Sequence, residues 1–351
     1  MKMLHVFNPE HDIALASDLS NFTAPHAGRQ LRTDLAFLPA LWAAEDDAVL
    51  VDNVEQALCG YRHLRPEATL CPHFVTKNQL SSLDIRCVSP WGWDRALRAQ
   101  LLRYGVKTVP SEDYVAMVRR LSHRRTASQL LPLLRTEGTV GQSFECTEPT
   151  EVERLLSTYG SVVMKAPWSS SGRGLRFLSQ SQTPFSTQAN WFSNMVKAQG
   201  SVMVEPFYNK VKDFGMEFEV DAAGKVHYLG LSLFHTKNGA YIGNLLATEE
   251  SKREQMARYV SLELLDEIKQ HIIKNVQLED YVGPFGIDMM IVNSQFSILN
   301  SQLFLHPCVE LNLRRTMGHV ALSLTPADDD IQKVMQIELT DHYRLHIRKA
   351  Q

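Results

Sequence analysis

Val162-Val163-Met164-Lys165, followed three residues later by Ser169-Ser170-Ser171-Gly172-Arg173-Gly174, decides how this chain is read. Three consecutive bulky apolar residues predict a short strand, and the next position delivers a lysine to a loop of small residues. Such a loop has little side-chain bulk, so its backbone N–H groups can close on phosphate oxygens. Arg173 within it adds a forked donor suited to an anion. A lysine at a strand end is by itself an ordinary solvated residue; the loop after it gives it a chemical reading.

A second stretch completes the first. In Val309-Glu310-Leu311-Asn312-Leu313-Arg314 a carboxylate and an amide stand two residues apart on an apolar strand and therefore face the same side. Upstream, Gly286-Ile287-Asp288-Met289-Met290-Ile291 places an aspartate inside another apolar strand. A buried carboxylate without a partner is costly, so Asp288 calls for a cation or strong donors. Asp288, Glu310 and Asn312 supply oxygens of the kind Mg²⁺ takes together with phosphates and water, with salt bridges as the alternative use of the same groups. Arg314 and Arg315 add cations just past them.

Between these landmarks, Val202-Met203-Val204-Glu205-Pro206-Phe207 is an apolar strand closed by a proline, expected to lie at an open edge whose backbone could meet a flat heterocycle. Glu217 and Glu219 share one face of the strand after it. His235-Thr236-Lys237-Asn238-Gly239 and Tyr241-Ile242-Gly243-Asn244 read as a polar loop.

Two familiar nucleotide motifs are excluded. No G-x-x-x-x-G-K-[ST] is present, and no G-x-G-x-x-G follows a strand. Val162 to Lys165 and Asp213-Phe214-Gly215 mimic two protein-kinase signatures, but the glycines follow the lysine and no H-R-D-x-x-x-x-N loop precedes the second motif.

Composition sets the frame. The 351 residues exceed one ordinary core. A formal net charge of −3 argues against a protein that holds nucleic acid by phosphate attraction. No apolar run approaches the roughly 20 residues of a membrane span, and the N-terminal stretch lacks the pattern of a signal peptide. Five scattered cysteines without a C-x-x-C suggest reduced thiols in a cytoplasmic protein.

The first hundred residues alternate strand-like and helix-like pieces: a strand at 4–7, a helix opened by Thr33-Asp34 through Trp42, strands at 49–51 and 85–88, and a helix opened by Asp94. This alternation predicts a parallel α/β layer. Ser111 starts a helix at a boundary near residue 110. Further helices are expected at 149–159 and 191–196, and one long helix over 251–275; strands are expected at 175–178, 216–220, 226–233, 287–292 and 304–313.

Taken in order, the lysine strand with its small-residue loop, the V-E-P-F linker, the G-I-D strand and the E-L-N-L-R strand resemble the ATP-grasp superfamily over about residues 111–320. The preceding region resembles the pre-ATP-grasp α/β domain of such proteins. The implied architecture is residues 1–110 as that domain and 111–351 as a two-lobed ATP-grasp module, the smaller lobe to about 205 and the larger from about 206. The resemblance implies ATP and Mg²⁺ as cofactors. Lys165 would contact phosphates, the loop of Ser169, Ser170, Ser171, Gly172, Arg173 and Gly174 would cover them, and Glu205 and Phe207 would hold the adenine. Asp213 or Glu217 would approach the ribose. Asp288, Glu310 and Asn312 would bind Mg²⁺, and Arg314, with Arg173, would face the reacting group. A further phosphate-binding lysine common in the family has Arg124 or Arg125 as its candidate replacement. Most members join a carboxylate to an amine or thiol, so a carboxylate–amine ligase acting on small molecules is expected, with an ATP-grasp-type small-molecule kinase or a nucleotide-binding protein without turnover as alternatives. Its partners would be a small carboxylate and an amine rather than nucleic acid or membrane, and a homodimer is one assembly to consider. Asn8, Glu10, His11 and Asp12, at the carboxyl edge of the first strand, together with His235, Asn244 and Arg315, are the candidates for substrate contact.

Overall fold

In this computed structural model, residues 3–169, 174–237, 240–293, 302–327 and 332–350 are described. The first unit contains β1 (Met3–Val6), α1 (His11–Ser17), α2 (His26–Asp34), β2 (Ala48–Leu50), α3 (Val54–Leu64), β3 (His73–Val75), β4 (Cys87–Pro90) and α4 (Arg95–Arg103). Its strands form a parallel sheet in the order β3-β2-β1-β4. Leu4, Val6, Ala48 and Leu50 pack on one side, while Phe7, Val49 and Val51 belong to a core on the other. Burial on both faces explains why these strands are short apolar runs rather than alternating ones.

Next come α5 (Glu112–Leu121), α6 (Arg124–Leu130), β5 (Phe144–Cys146), α7 (Pro149–Tyr159), β6 (Ser161–Lys165), β7 (Leu175–Ser179), α8 (Ala189–Gln199) and β8 (Val202–Pro206). The sheet order is β5-β8-β6-β7, all antiparallel. Ser111 caps α5 by accepting from the Tyr114 amide, and Gly160, at φ +73°, lets α7 stop and β6 begin.

The remainder holds β9 (Asn209–Val220), β10 (Val226–Ser232), β11 (Phe234–Lys237), β12 (Ala240–Leu246), α9 (Glu249–Met256), α10 (Leu262–Asn275), β13 (Gly283–Asn293), β14 (Leu303–Asn312), α11 (Met317–Ser323), β15 (Lys333–Leu339) and β16 (Tyr343–Lys349). One sheet runs β10-β9-β13-β14 and another β11-β12-β15-β16. In the first, Phe214, Met216, Phe218, Phe285, Ile287 and Met289 bury one face against α10. The residues between them, among them Asp213, Glu217 and Asp288, point to the other face. The second sheet docks on the first unit: Leu246, Met335 and Leu345 share a core with Phe7, Leu35 and Val49.

Several expectations are corrected. Thr33-Asp34 ends a helix instead of opening one. Asp34 is buried because its carboxylate accepts from the Tyr343 amide (2.8 Å) and meets His342 Nδ1 (2.8 Å), a partner more than 300 residues away. Only a short 3₁₀ turn, Leu38–Leu41, follows. The long helix over 251–275 is two helices, with Ser261 capping the second through the Leu264 amide. The polar loop after β10 is the hairpin β11–β12, whose outer partner β15 lies some ninety residues downstream. The Val202 strand is interior, not an edge, although β5 ends opposite Val204 and leaves Glu205 and Pro206 beyond it. No helix among the described residues is long and apolar enough to cross a membrane.

Candidate active site

The site forms where the β10-β9-β13-β14 sheet meets the smaller antiparallel sheet and the first unit. Antiparallel pairing sets Asp288 of β13 opposite Glu310 of β14, so two carboxylates share one face of neighbouring strands. Asn312 Nδ2 donates to Asp288 Oδ2 at 3.3 Å. Burial, then the Glu310 charge, pushes the Asp288 carboxyl up to about 7. That mutual repulsion is the strain a divalent cation between the strands would relieve. The two carboxylates and the amide thus suit Mg²⁺. Among the described residues no three His, Cys, Asp or Glu side chains gather into a metal cage, so the ion would need further oxygens from a phosphate.

Cations surround this face. Arg124, on the first turn of α6, places Nη2 2.9 Å from Glu310 Oε1, while its Nε donates to the Ala166 carbonyl (3.0 Å) and Nη2 also reaches Ser169 Oγ (3.4 Å). Arg125, its neighbour on the helix, turns outward to a forked pair with Glu145. Of the two arginines, Arg124 is therefore the one at the site, and the assignment of Arg125 to phosphate contact is withdrawn.

Lys165 and Glu205 are strand neighbours once removed (β6 Val163 pairs with Glu205). They form a buried ion pair at 2.5 Å, and Ser143 Oγ donates to Glu205 Oε1 at 3.3 Å. Beside the pair, the His306 ring of β14 is buried, neither nitrogen has a hydrogen-bond partner among the described residues, and burial drives its pKa down to about 4. Gly141 permits this approach: at φ +135°, a Cβ there would lie 2.8 Å from His306 Nε2. Nothing about a histidine within an apolar strand signals that position in the sequence. Ser170, Ser171, Gly172 and Arg173 lie outside the described residues. Gly174 and Ser169 flank them, and a Cβ on Gly174 would fall 2.5 Å from Ser169 Oγ.

Arg314 is anchored from the first unit. Its Nε and Nη2 donate to Asp12 Oδ1 (2.9 Å) and Oδ2 (2.7 Å), and Nη1 donates to the Arg315 carbonyl (3.1 Å). Although burial alone would raise the Asp12 carboxyl, the Arg314 guanidinium outweighs it and holds that carboxyl below its ordinary range. Asp12, Ser122, Ser169, Glu310 and Asn312 line a common narrow cleft.

Other expected contacts fall elsewhere. Glu217 does not reach a ribose position; it is sealed under α11, where a Cβ on Gly286 or Gly318 would strike its carboxyl oxygens at 2.5 and 1.8 Å. Its Oε2 lies 3.0 Å from His319 Nδ1. That nitrogen accepts from the Thr316 amide (3.1 Å), while Nε2 is 3.3 Å from the Phe218 carbonyl and must carry the ring proton. Burial holds His319 neutral, with a pKa near 3, and pushes Glu217 up to about 8, with Asp288 adding to the rise. The contact is therefore between a neutral carboxylic acid and a neutral imidazole, not an ion pair, and Glu217 Oε2 has no hydrogen-bond partner among the described residues. Asp213 is engaged by Lys210 Nζ (2.5 Å) and Thr236 Oγ1 (2.6 Å). Phe207 is partly exposed, edge-on to Phe177.

Of the N-terminal cluster, only Asp12 enters the cleft lining. Asn8 is structural: Nδ2 donates to the Gly92 carbonyl (2.8 Å) and Asp94 Oδ2 (3.1 Å). Glu10 pairs with Arg32 (2.8 Å), and the buried His11 ring packs against Gly92. Asn244 is buried and donates to Ser232 Oγ (2.8 Å), His235 is exposed on β11, and Arg315 stacks over Trp42 at 4.5 Å.

This arrangement of a parallel unit followed by three antiparallel sheets is the ATP-grasp fold. Among solved structures, the biotin carboxylase of Campylobacter jejuni in complex with β,γ-ATP matches with a TM-score of 0.51 at 12% identity, over 96% of this chain and 75% of that one. The biotin carboxylase domain of the Hydrogenobacter thermophilus 2-oxoglutarate carboxylase, a dimer with MgADP, ADP and bicarbonate, matches with a TM-score of 0.50 at 13% identity, over 96% and 74%. No protein-family model matches the sequence, and no curated relative does.

Proposed function

We propose that this chain is an ATP- and Mg²⁺-dependent ligase that activates a small carboxylate as an acyl phosphate and joins it to an amine. The observation that carries this reading is the convergence of Arg124, Glu310 and Ser169 at 2.9 and 3.4 Å beside the Asp288–Asn312 pair. These residues are scattered over nearly two hundred positions and have the chemistry of a phosphate and its cation. The solved biotin carboxylases hold adenine nucleotides, in one case as MgADP with bicarbonate.

In the proposed reaction a substrate carboxylate oxygen attacks the γ-phosphorus of ATP and ADP departs. The amine then attacks the acyl carbon, inorganic phosphate leaves, and the nitrogen loses a proton. Bound Mg²⁺ would supply charge neutralisation on the phosphates, held by Asp288, Glu310 and Asn312. Lys165 and Arg124 would hold phosphate oxygens, Arg314 would face the anionic centre, and the segment between Ser169 and Gly174 would exclude water. Residues 1–110 would select the substrate. No disulfide joins cysteines among the described residues, and a reducing, cytoplasmic setting belongs to the proposal. Assembly as a homodimer is testable by sedimentation.

The test is a phosphate-release screen with pooled amino acids, dipeptides and polyamines. Acceptor-dependent free phosphate with ADP supports ligation. A phosphorylated product without free phosphate, or tight MgATP binding with no turnover on any acceptor, overturns it.

A further inference from the structure

The Asp12–Arg314 contact does more than join two units. We infer, resting on the functional reading above, that Asp12 is a positioning residue that keeps Arg314 off the metal-binding carboxylates and presents its remaining donors to the reacting anion.

Three observations carry this. The first is rigidity at the Asp12 end. Asp12 sits in the first turn of α1, and the segment leading to it is fixed by Asn8, which donates to Gly92 and Asp94 and accepts from the Gly92 amide (3.3 Å). His11 fills the space a Cβ on Gly92 would need. The carboxylate is thus held in place by the β4–α4 connection.

The second is the geometry of the fork. A guanidinium has five N–H donors. Two go to Asp12 and one to the Arg315 carbonyl. Two remain, one on each terminal nitrogen, and a forked pair fixes the plane in which they lie.

The third is competition. Arg314 lies within electrostatic reach of Glu310 and Asp288 as well as Asp12. Remove the Asp12 charge and the nearest anions are the oxygens that Mg²⁺ requires. Glu310 already has one arginine, Arg124, at 2.9 Å; a second would make its carboxylate a poor metal ligand. Asp12 therefore divides the labour of the cleft, with Arg314 for the anion and Asp288 with Glu310 for the cation.

The experiment compares Asp12→Asn, Asp12→Glu and the wild type. Calorimetric binding of ADP is followed across a Mg²⁺ titration, beside melting temperature and, once an acceptor is known, kcat and KM. Asp12→Asn should raise the Mg²⁺ concentration needed for half-maximal ADP binding by on the order of tenfold, the weight of one charge-assisted contact. Asp12→Glu, which keeps the charge, should recover most of it. A merely structural role would lower the melting temperature and leave the Mg²⁺ midpoint of the folded protein in place. An Asp12→Asn midpoint within about twofold of wild type overturns the inference alone. A wild type that binds no MgADP overturns the functional reading, and this inference with it.

Discussion

Glu217→Gln should stabilise the protein, and do so more as the pH rises. Glu217 is a neutral acid at neutral pH: its Oε2 faces an imidazole nitrogen that has no proton to give, and burial holds its pKa near 8. The unfolded chain ionises this side chain near 4.5. Between those two values the folded state holds a proton that the unfolded state has released, so stability falls with rising pH through that window and levels off above it. The slope is about 1.4 kcal/mol per pH unit. From pH 5 to pH 7.5 the wild type should lose about 3 kcal/mol on this account. Glutamine is isosteric, and its oxygen can accept from the hydroxyls of Thr316 and Ser232 that approach the carboxyl. It has no proton to lose. The difference in melting temperature between variant and wild type should therefore widen by about 4 °C from pH 5 to pH 7.5, given the unfolding entropy of a chain this long. The assay is paired thermal melts at both pH values, with the other titrating groups common to both proteins. Parallel pH profiles, or a gap that narrows as pH rises, would refute the protonated state assigned to Glu217.

Three further outcomes are expected. Lys165→Ala should abolish ATP turnover and destabilise the protein by about 3–5 kcal/mol, because it strands a buried Glu205; a Lys165→Met, Glu205→Met double variant should regain the stability but not the turnover, measured by melts and ADP release. Glu310→Gln should raise the Mg²⁺ concentration needed for half-maximal activity, and an unchanged metal titration would remove Glu310 from the ligand set. Gly318→Ala should cost at least about 2 kcal/mol and shift the melt downward, since the added methyl meets a Glu217 oxygen at 1.8 Å.

The strands that hold the proposed site were legible because their signals are local. Lys165, Asp288, Glu310 and Asn312 each stand within or at the end of an apolar run, and a period of two is enough to say which side chains share a face. Ser111, Asp94 and Gly160 announced their helix ends for the same reason. Asp34 misled the reading: it has the chemistry of a cap, but its real partners are Tyr343 and His342. The hairpin β11–β12 read as a loop because its polar residues alternate without an apolar stripe of their own, and its order depends on β15.

Glu217 marks the limit most clearly. Paired with Glu219 on a strand, it looked like a ribose-facing carboxylate, and only the packing of α11, through Gly318, beside Gly286 of β13 made it a sealed acid. Charge at a site is set by what packs against it, and that neighbour can be a hundred residues away.

The sequence by itself determined the ATP-grasp order of strands and the kinds of group each would present, since strand period, glycine placement and residue chemistry act over a few residues. Only the tertiary structure decided which of those groups meet: Arg124 rather than Arg125 at Glu310, Lys165 with Glu205, and Arg314 with Asp12 across 302 positions. Those pairings depend on burial and on distances between elements, quantities that do not exist until the chain has folded.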